Sequence, residues 1–128
     1  MRKKRRLPAS PPPGLRGLRA YEEALTLAHV VHRATARFWR SGSRKLADQM
    51  RDASESVFSN IAEGHGRSKK PDRRRFYETS WTSLLELEAR TQHAAACDLL
   101  TEADATEIRM RARWTGRLLA PLRRSAAA

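Results

Sequence analysis

The stretch Leu46-Ala-Asp-Gln-Met-Arg-Asp-Ala-Ser-Glu-Ser-Val-Phe-Ser-Asn-Ile-Ala-Glu-Gly64 decides the fold class of this 128-residue chain. Its apolar residues recur at steps of three and four, at Leu46, Met50, Ala53, Val57 and Ile61. These steps exclude a β-strand, in which every second residue would face the core. The stretch therefore predicts an amphipathic α-helix that buries one face.

Three further segments show the same helical periodicity. A first helix is predicted over residues 21–40, a third from the loop at 65–71 to about Cys97, and a fourth from near Thr101, whose side chain suits an N-cap. The third helix has a core face of mostly small residues, so the backbone of the second helix at Gly64 is expected to approach it closely. We therefore predict an all-α fold, an antiparallel up-down-up-down four-helix bundle over residues 20–124.

The two ends of the chain differ from this body in composition. Residues 1–20 hold seven basic residues, no acidic residue, four prolines and two glycines. We expect residues 1–19 to form a disordered basic arm and residues 125–128 a disordered tail. The chain carries a net charge of +12, which favours an acidic partner such as nucleic acid. The arm residues expected to contact it are Arg2, Lys3, Lys4, Arg5 and Arg6.

Several classes of protein are disfavoured by the sequence. The single cysteine, Cys97, cannot form a disulfide within the chain, and no Cys/His spacing is typical of a zinc site. No apolar run approaches the length that spans a membrane. We therefore expect a soluble cytoplasmic protein with no metal, no cofactor and no membrane partner.

Two basic clusters of the body are candidate nucleic-acid contacts. The first surrounds the predicted start of the third helix and comprises Arg67, Lys69, Lys70, Arg73, Arg74 and Arg75. Positive charge and free backbone N–H groups at a helix start suit phosphate groups. The second comprises Arg109, Arg113 and Arg117, four residues apart on the fourth helix. An ordinary solvated surface is the alternative interpretation of both. Few aromatic residues accompany them, so binding is expected to depend on shape and charge.

Apolar residues also occur outside the predicted core stripes. Trp81 and Leu85 form a second stripe on the third helix, and Met110, Trp114 and Leu118 form one on the fourth. A wide core in a small bundle is one explanation, and a subunit interface is the other. Because monomers rarely expose such patches, we favour self-association through these residues.

The motif Asn60-Ile-Ala-Glu-Gly64, followed by Arg67 and Ser83-Leu-Leu-Glu-Leu87, resembles a known family. These are bacterial four-helix-bundle proteins encoded in intervening sequences of 23S ribosomal RNA genes, related to the accessory variability proteins of diversity-generating retroelements. The resemblance covers roughly residues 18–122. It implies a left-handed bundle that often assembles into a pentameric ring with a basic surface for nucleic acid, and no established enzyme activity. The retroelement relatives bind a reverse transcriptase and its RNA, so a reverse transcriptase is a conditional partner.

The residues of this motif are interpreted as structural. Asn60, Glu63, Gly64, Ser83 and Glu86 are expected to tie the second helix to the third helix or to the loop, since a buried polar group must be hydrogen-bonded. For Glu86, Arg67 and Arg90 are both possible charge partners.

No catalytic residue is predicted. His29 and His32 with Glu22 would make a weak metal site, and Cys97 has only His93 nearby as a base. The sequence favours a non-enzymatic, homo-oligomeric bundle that binds RNA or DNA, as an accessory subunit to a nucleic-acid enzyme. The alternative is a protein-interaction scaffold that docks a partner through apolar helix faces and has no direct nucleic-acid role.

Overall fold

A computed structural model describes residues 13–15, 18–40 and 42–127. These residues form four α-helices, namely α1 (Arg19–Trp39), α2 (Arg44–His65), α3 (Lys70–Ala96) and α4 (Glu102–Ala127). A short 3₁₀ turn, Pro13–Leu15, precedes α1, and the described residues contain no strand. The prediction of an all-α fold with four helices is confirmed.

The helix boundaries follow local sequence chemistry. Gly42, with φ of 91°, lies in the turn between α1 and α2, where a side chain would be strained. Pro71 lies in the first turn of α3, where its missing N–H costs nothing. Thr101 accepts a hydrogen bond of 3.0 Å at Oγ1 from the backbone N–H of Asp104, which caps the start of α4.

Each helix packs against two others, α1 and α3 both lying between α2 and α4. Along the α2–α3 contact, Ser80 bonds to Val57 and Arg90 bonds to Gln49, so residue numbers rise on one helix as they fall on the other. The same holds along the α1–α4 and α3–α4 contacts. Neighbouring helices therefore run antiparallel.

One apolar core lies between the four helices. Every helix contributes fully buried side chains, and the largest are Leu27, Met50, Ile61, Leu87, Ile108 and Leu119. The predicted stripe of α2 from Met50 to Gly64 is buried, while Leu46 is partly buried at its edge.

The ends of the chain depart from the predicted boundaries. α4 continues to Ala127 with Ala126 buried, so residues 125–127 are helical where the sequence predicts a tail. At the other end, Leu15 and Leu18 already pack against the core. Apolar contact extends ordered structure at both ends. The rest of the predicted arm, residues 1–12 and 16–17, lies outside the described residues.

Within the described ranges, none of the helices combines the length and the apolar character that a membrane span needs.

Candidate nucleic-acid interface

The turn between α2 and α3 gathers the first predicted basic cluster on one exposed surface. We call residues 66–75 the basic turn. Arg67, Lys69, Lys70, Arg74 and Arg75 are exposed, and Arg73 is partly buried. The cluster lies at the start of a 27-residue helix, where the N–H groups of the first turn add partial positive charge.

Two of these arginines also hold the turn in place. Arg67 donates from Nη2 to Glu63 Oε2 at 3.0 Å, and Arg73 donates from Nε to the carbonyl oxygen of Arg67 at 2.7 Å. The first contact joins the end of α2 to the turn, and the second joins the turn to α3. The backbone that carries the cluster is therefore fixed by the protein's own side chains.

Phe76 supports two positive charges of the basic turn. The guanidinium of Arg67 lies 4.9 Å from the centre of the Phe76 ring, and that of Arg75 lies 5.2 Å from it. A guanidinium above an aromatic face is attracted to it and retains N–H donors for other partners. The periodicity of the sequence gives no sign of this role for Phe76.

The two lysines of the basic turn have no acidic partner in the described structure. Lys69 and Lys70 form no ion pair with any residue that the structure describes. Arg74 is exposed as well, and its charge helps to lower the pKa of Glu78, one turn further along α3. The only acidic residue within the turn is Asp72, which is partly buried.

The second predicted cluster lies on the outer side of α4. Arg109 and Arg117 are exposed, and within the described part of the chain neither forms an ion pair. Arg113 lies 3.6 Å from Glu88 of α3. The structure thus leaves two of the three predicted arginines without a partner and draws the third toward α3.

A different arginine of α4, Arg123, makes the closest contact with α3, and the sequence analysis missed it. It donates from Nε and Nη2 to the two carboxylate oxygens of Glu78, at 3.0 Å each, and its guanidinium lies 4.3 Å from the Trp81 ring centre. These hydrogen bonds hold the pKa of Glu78 below its usual value. No spacing rule within one helix signals a pair 45 residues apart.

The predicted interface residues divide into two groups. Trp81 is partly buried against α4, where an added Cβ on Gly116 would lie 3.2 Å from its ring, and Leu118 packs against the core. The other three are exposed large hydrophobic side chains: Leu85 at 52%, Met110 at 65% and Trp114 at 41%. Packing within one chain therefore accounts for Trp81 and Leu118 only.

Two of the motif residues, Gly64 and Ser83, lie at the contact between α2 and α3, which we call the seam, whereas Asn60 bonds only to Ser56 of its own helix. A Cβ added to Gly64 would lie 2.7 Å from Cε1 of Tyr77, so the helices approach closely there. Burial raises the pKa of Tyr77, while Arg73 opposes this shift. The hydroxyls of Ser56 and Ser83 share a 2.7 Å hydrogen bond across the seam, and Asn60 donates to Ser56 Oγ at 3.0 Å.

Glu86, the last of the motif residues, accepts a 3.1 Å hydrogen bond from Nε of Arg90, which also donates from Nη1 to Gln49 of α2 at 2.9 Å. Of the two possible partners of Glu86, the structure therefore shows Arg90. Arg67 pairs with Glu63 instead.

The basic turn and the start of α1 lie at the same end of the bundle. Tyr21 packs edge-on against Phe58 of α2, with ring centres 6.3 Å apart. One groove at this end is lined by Tyr21 and Phe58 together with Ala62 and Arg67. The basic arm, which joins α1 at Leu18, is therefore attached beside the basic turn.

The described residues include no group of three or more His, Cys, Asp or Glu side chains that would hold a metal ion. Cys97 is exposed, and its Sγ lies 3.9 Å from Nε2 of His93.

Comparison with protein families gives one match. A family model described as 23S rRNA-intervening sequence protein matches residues 16–120. A comparison with curated proteins gives no match. The matched range contains α1, α2, α3 and most of α4.

Proposed function

The chain belongs to the 23S rRNA-intervening sequence protein family, and we propose that it is a non-enzymatic helical bundle that binds RNA or DNA. The observation that carries this proposal is the basic turn, where Lys69, Lys70 and Arg74 are exposed and the two lysines have no acidic partner in the described structure. Like charges this close repel one another in the free protein. A polyanion relieves that repulsion and gains the release of its own counterions.

The position of the basic arm supports the same proposal. By sequence, the arm carries Arg2, Lys3, Lys4, Arg5 and Arg6 and is joined to α1 at the end of the bundle that holds the basic turn. In this proposal the arm adds phosphate contacts to those of the turn. Arg109 and Arg117 add exposed positive charge along α4.

The expected contacts are with the phosphate backbone rather than with base edges. Phe76 is covered by two guanidiniums and Tyr77 is buried, so neither offers an open ring for a base. Binding of this kind discriminates little between sequences. The proposal therefore covers RNA and DNA alike.

Self-association is a second part of the proposal. Leu85, Met110 and Trp114 expose apolar surface that a second copy would bury. A pentameric ring would repeat the basic surface and raise avidity for a long polyanion. The pentamer and an accessory role beside a reverse transcriptase follow from the resemblance to retroelement proteins alone.

The same exposed side chains favour one alternative function, a scaffold that docks another protein through its apolar surface. The dependence of affinity on salt concentration distinguishes the two functions. Phosphate binding weakens linearly in log affinity as log salt rises, whereas an apolar interface responds little.

The test compares two variants that lose the same charge at different places. Lys69→Gln/Lys70→Gln/Arg74→Gln removes three positive charges from the basic turn. Arg33→Gln/Arg40→Gln/Lys45→Gln removes three exposed positive charges that lie outside the basic turn. Affinity of the full chain for a generic single-stranded RNA and a DNA duplex is measured across a salt series. We expect the turn variant to lower the salt slope by about 2–3 and the control to change it much less.

Two results would contradict the proposal. A wild-type chain that fails to bind either nucleic acid at low salt removes the function itself. Equal losses in the two variants would show that binding depends on net charge and would remove the basic turn as the site.

A further inference from the structure

The outer side of α4 next to α1 carries a groove that contains two of the three exposed apolar side chains described above. Its apolar floor includes Met110 and Trp114, and its volume of about 860 Å³ is enough for a short extended peptide. Three glutamates and one arginine stand around this floor: Glu23, Glu102, Glu107 and Arg111. The groove thus joins exposed apolar surface to acidic side chains in a strongly basic protein.

The acidic side chains of the groove are only partly neutralised. Arg111 donates from Nη1 to Glu23 at 3.0 Å and from Nε to Glu107 at 3.3 Å, so one guanidinium serves two carboxylates. Glu102 is exposed and forms no ion pair within the described residues. A basic segment is therefore the occupant whose charge matches the groove.

The chain itself supplies a basic segment at the edge of this groove. The guanidinium of Arg19 lies 5.7 Å from the centre of the Trp114 ring. Arg19 is the first residue of α1, and Leu15 and Leu18 before it pack against the bundle. The start of α1 therefore lies beside Trp114, at one end of the groove.

We propose that, in the chain free of nucleic acid, this groove is the docking site of the chain's own N-terminal segment, residues 1–12. From Trp114 to Glu102 the groove follows 12 residues of α4, about 18 Å at 1.5 Å per residue. An extended arm covers about 31 Å with ten residues at 3.1 Å each, so the arm reaches the whole groove.

The chemistry of the arm matches the groove along this path. Pro8, Pro11 and Pro12 favour an extended conformation with little entropy left to lose, and proline rings pack well on an aromatic side chain such as Trp114. The bases at Arg2–Arg6 then reach the end of the groove at Glu102. The docked arm covers Met110 and Trp114, so a second copy contacts them only after the arm has left.

The test uses the full chain with a fluorophore on the arm. Ala9→Cys in a Cys97→Ser background is labelled with bimane, whose emission tryptophan quenches on contact. Trp114→Phe is expected to raise the emission severalfold. Trp81→Phe is the matched control and should leave the emission quenched, because Trp81 is half-buried beneath Arg123 on the other side of α4. Glu102→Gln/Glu107→Gln should raise the emission as well.

Two outcomes would overturn this inference. Emission that does not change in Trp114→Phe shows that the arm does not reach the groove. Emission that rises when a large excess of unlabelled Trp114→Phe chain is added places the arm in the groove of another copy.

Discussion

The α2–α3 seam and the outer face of α4 have the same helical periodicity. They differ in how many of their side chains are buried or paired within the chain. Along the seam, Gly64 and Ser80 are buried and contact the opposite helix. On α4, Met110 and Trp114 are exposed, and Arg117 has no acidic partner in the described structure. The seam therefore serves the fold, and the α4 face is available for partners.

This difference shows which positions of the bundle restrict the type of residue that they accept. Two backbones that approach closely accept only small side chains, and each buried hydroxyl needs an acceptor. Ser80 meets this need by donating to the carbonyl oxygen of Val57 at 2.8 Å. An exposed face has no such restrictions, so packing within the chain does not explain its large and charged residues.

The largest loss of stability among the variants considered is expected for Gly64→Ala. The new Cβ would lie 2.7 Å and 2.9 Å from two ring carbons of Tyr77, which is itself buried and cannot swing away. We expect the free energy of unfolding to fall by about 1–3 kcal/mol. Urea denaturation measures it.

The matched control is Gly66→Ala. A Cβ there meets nothing closer than 3.7 Å, and Gly66 has φ of −79°, which any residue adopts. Its stability should change by no more than about 0.5 kcal/mol. Equal losses in the two variants would show that Gly64 is not a point of close approach.

A smaller effect is expected from Ser80→Ala, which removes the hydrogen bond to Val57 across the seam. A typical buried hydrogen bond contributes about 1 kcal/mol, and we expect a loss of this size in the free energy of unfolding. Thr79→Ala is the control, because the Thr79 hydroxyl is exposed and bonds only within its own helix, to Arg75. A larger loss in Thr79→Ala would contradict the assignment of the seam.

The α4 face is tested by Arg109→Gln/Arg117→Gln. Because neither side chain contacts an acidic residue in the described structure, unfolding free energy should stay within about 0.5 kcal/mol of the parent chain. Under the proposed function, the salt slope of nucleic-acid binding should fall by about 1–2. A clear loss of stability would mean that this face, like the seam, serves the fold.

The smallest expected effect concerns pH at the α3–α4 contact. Arg123 lowers the pKa of Glu78 from its usual 4.5, so the folded chain holds this proton less tightly than the unfolded chain. The contribution to stability is therefore complete above that usual value and is lost as pH falls through the lowered pKa. Urea midpoints at neutral pH and at about pH 3 should differ less in Glu78→Gln than in the parent chain. An identical pH dependence would contradict the role of this pair.

Much of the fold follows from residues close together in the sequence. The four helices, the cap at Thr101 and the close approach at Gly64 are all readable from local spacing and residue size. The contacts that each residue makes with other helices are not readable in this way. That Tyr77 is the residue opposite Gly64, or that Phe76 supports two arginines, depends on how α3 is rotated and staggered against α2.

The candidate site divides in the same way. The clustering of bases between residues 67 and 75 is a property of the sequence, and so is the basic arm. Which bases remain unpaired is not, because acidic partners such as Glu78 and Glu88 lie on a neighbouring helix whose position the sequence does not fix.

Four amphipathic helices, their core stripes and the surplus of positive charge follow from the sequence alone, because periodicity and composition are local quantities. The packing of the helices makes Trp81 half-buried and leaves Trp114 exposed, and it brings the start of α1 beside both the basic turn and the acidic groove. The physical reason is that burial and ion pairing depend on the stagger of neighbouring helices. That stagger is set by how the side chains of all four helices pack together at once.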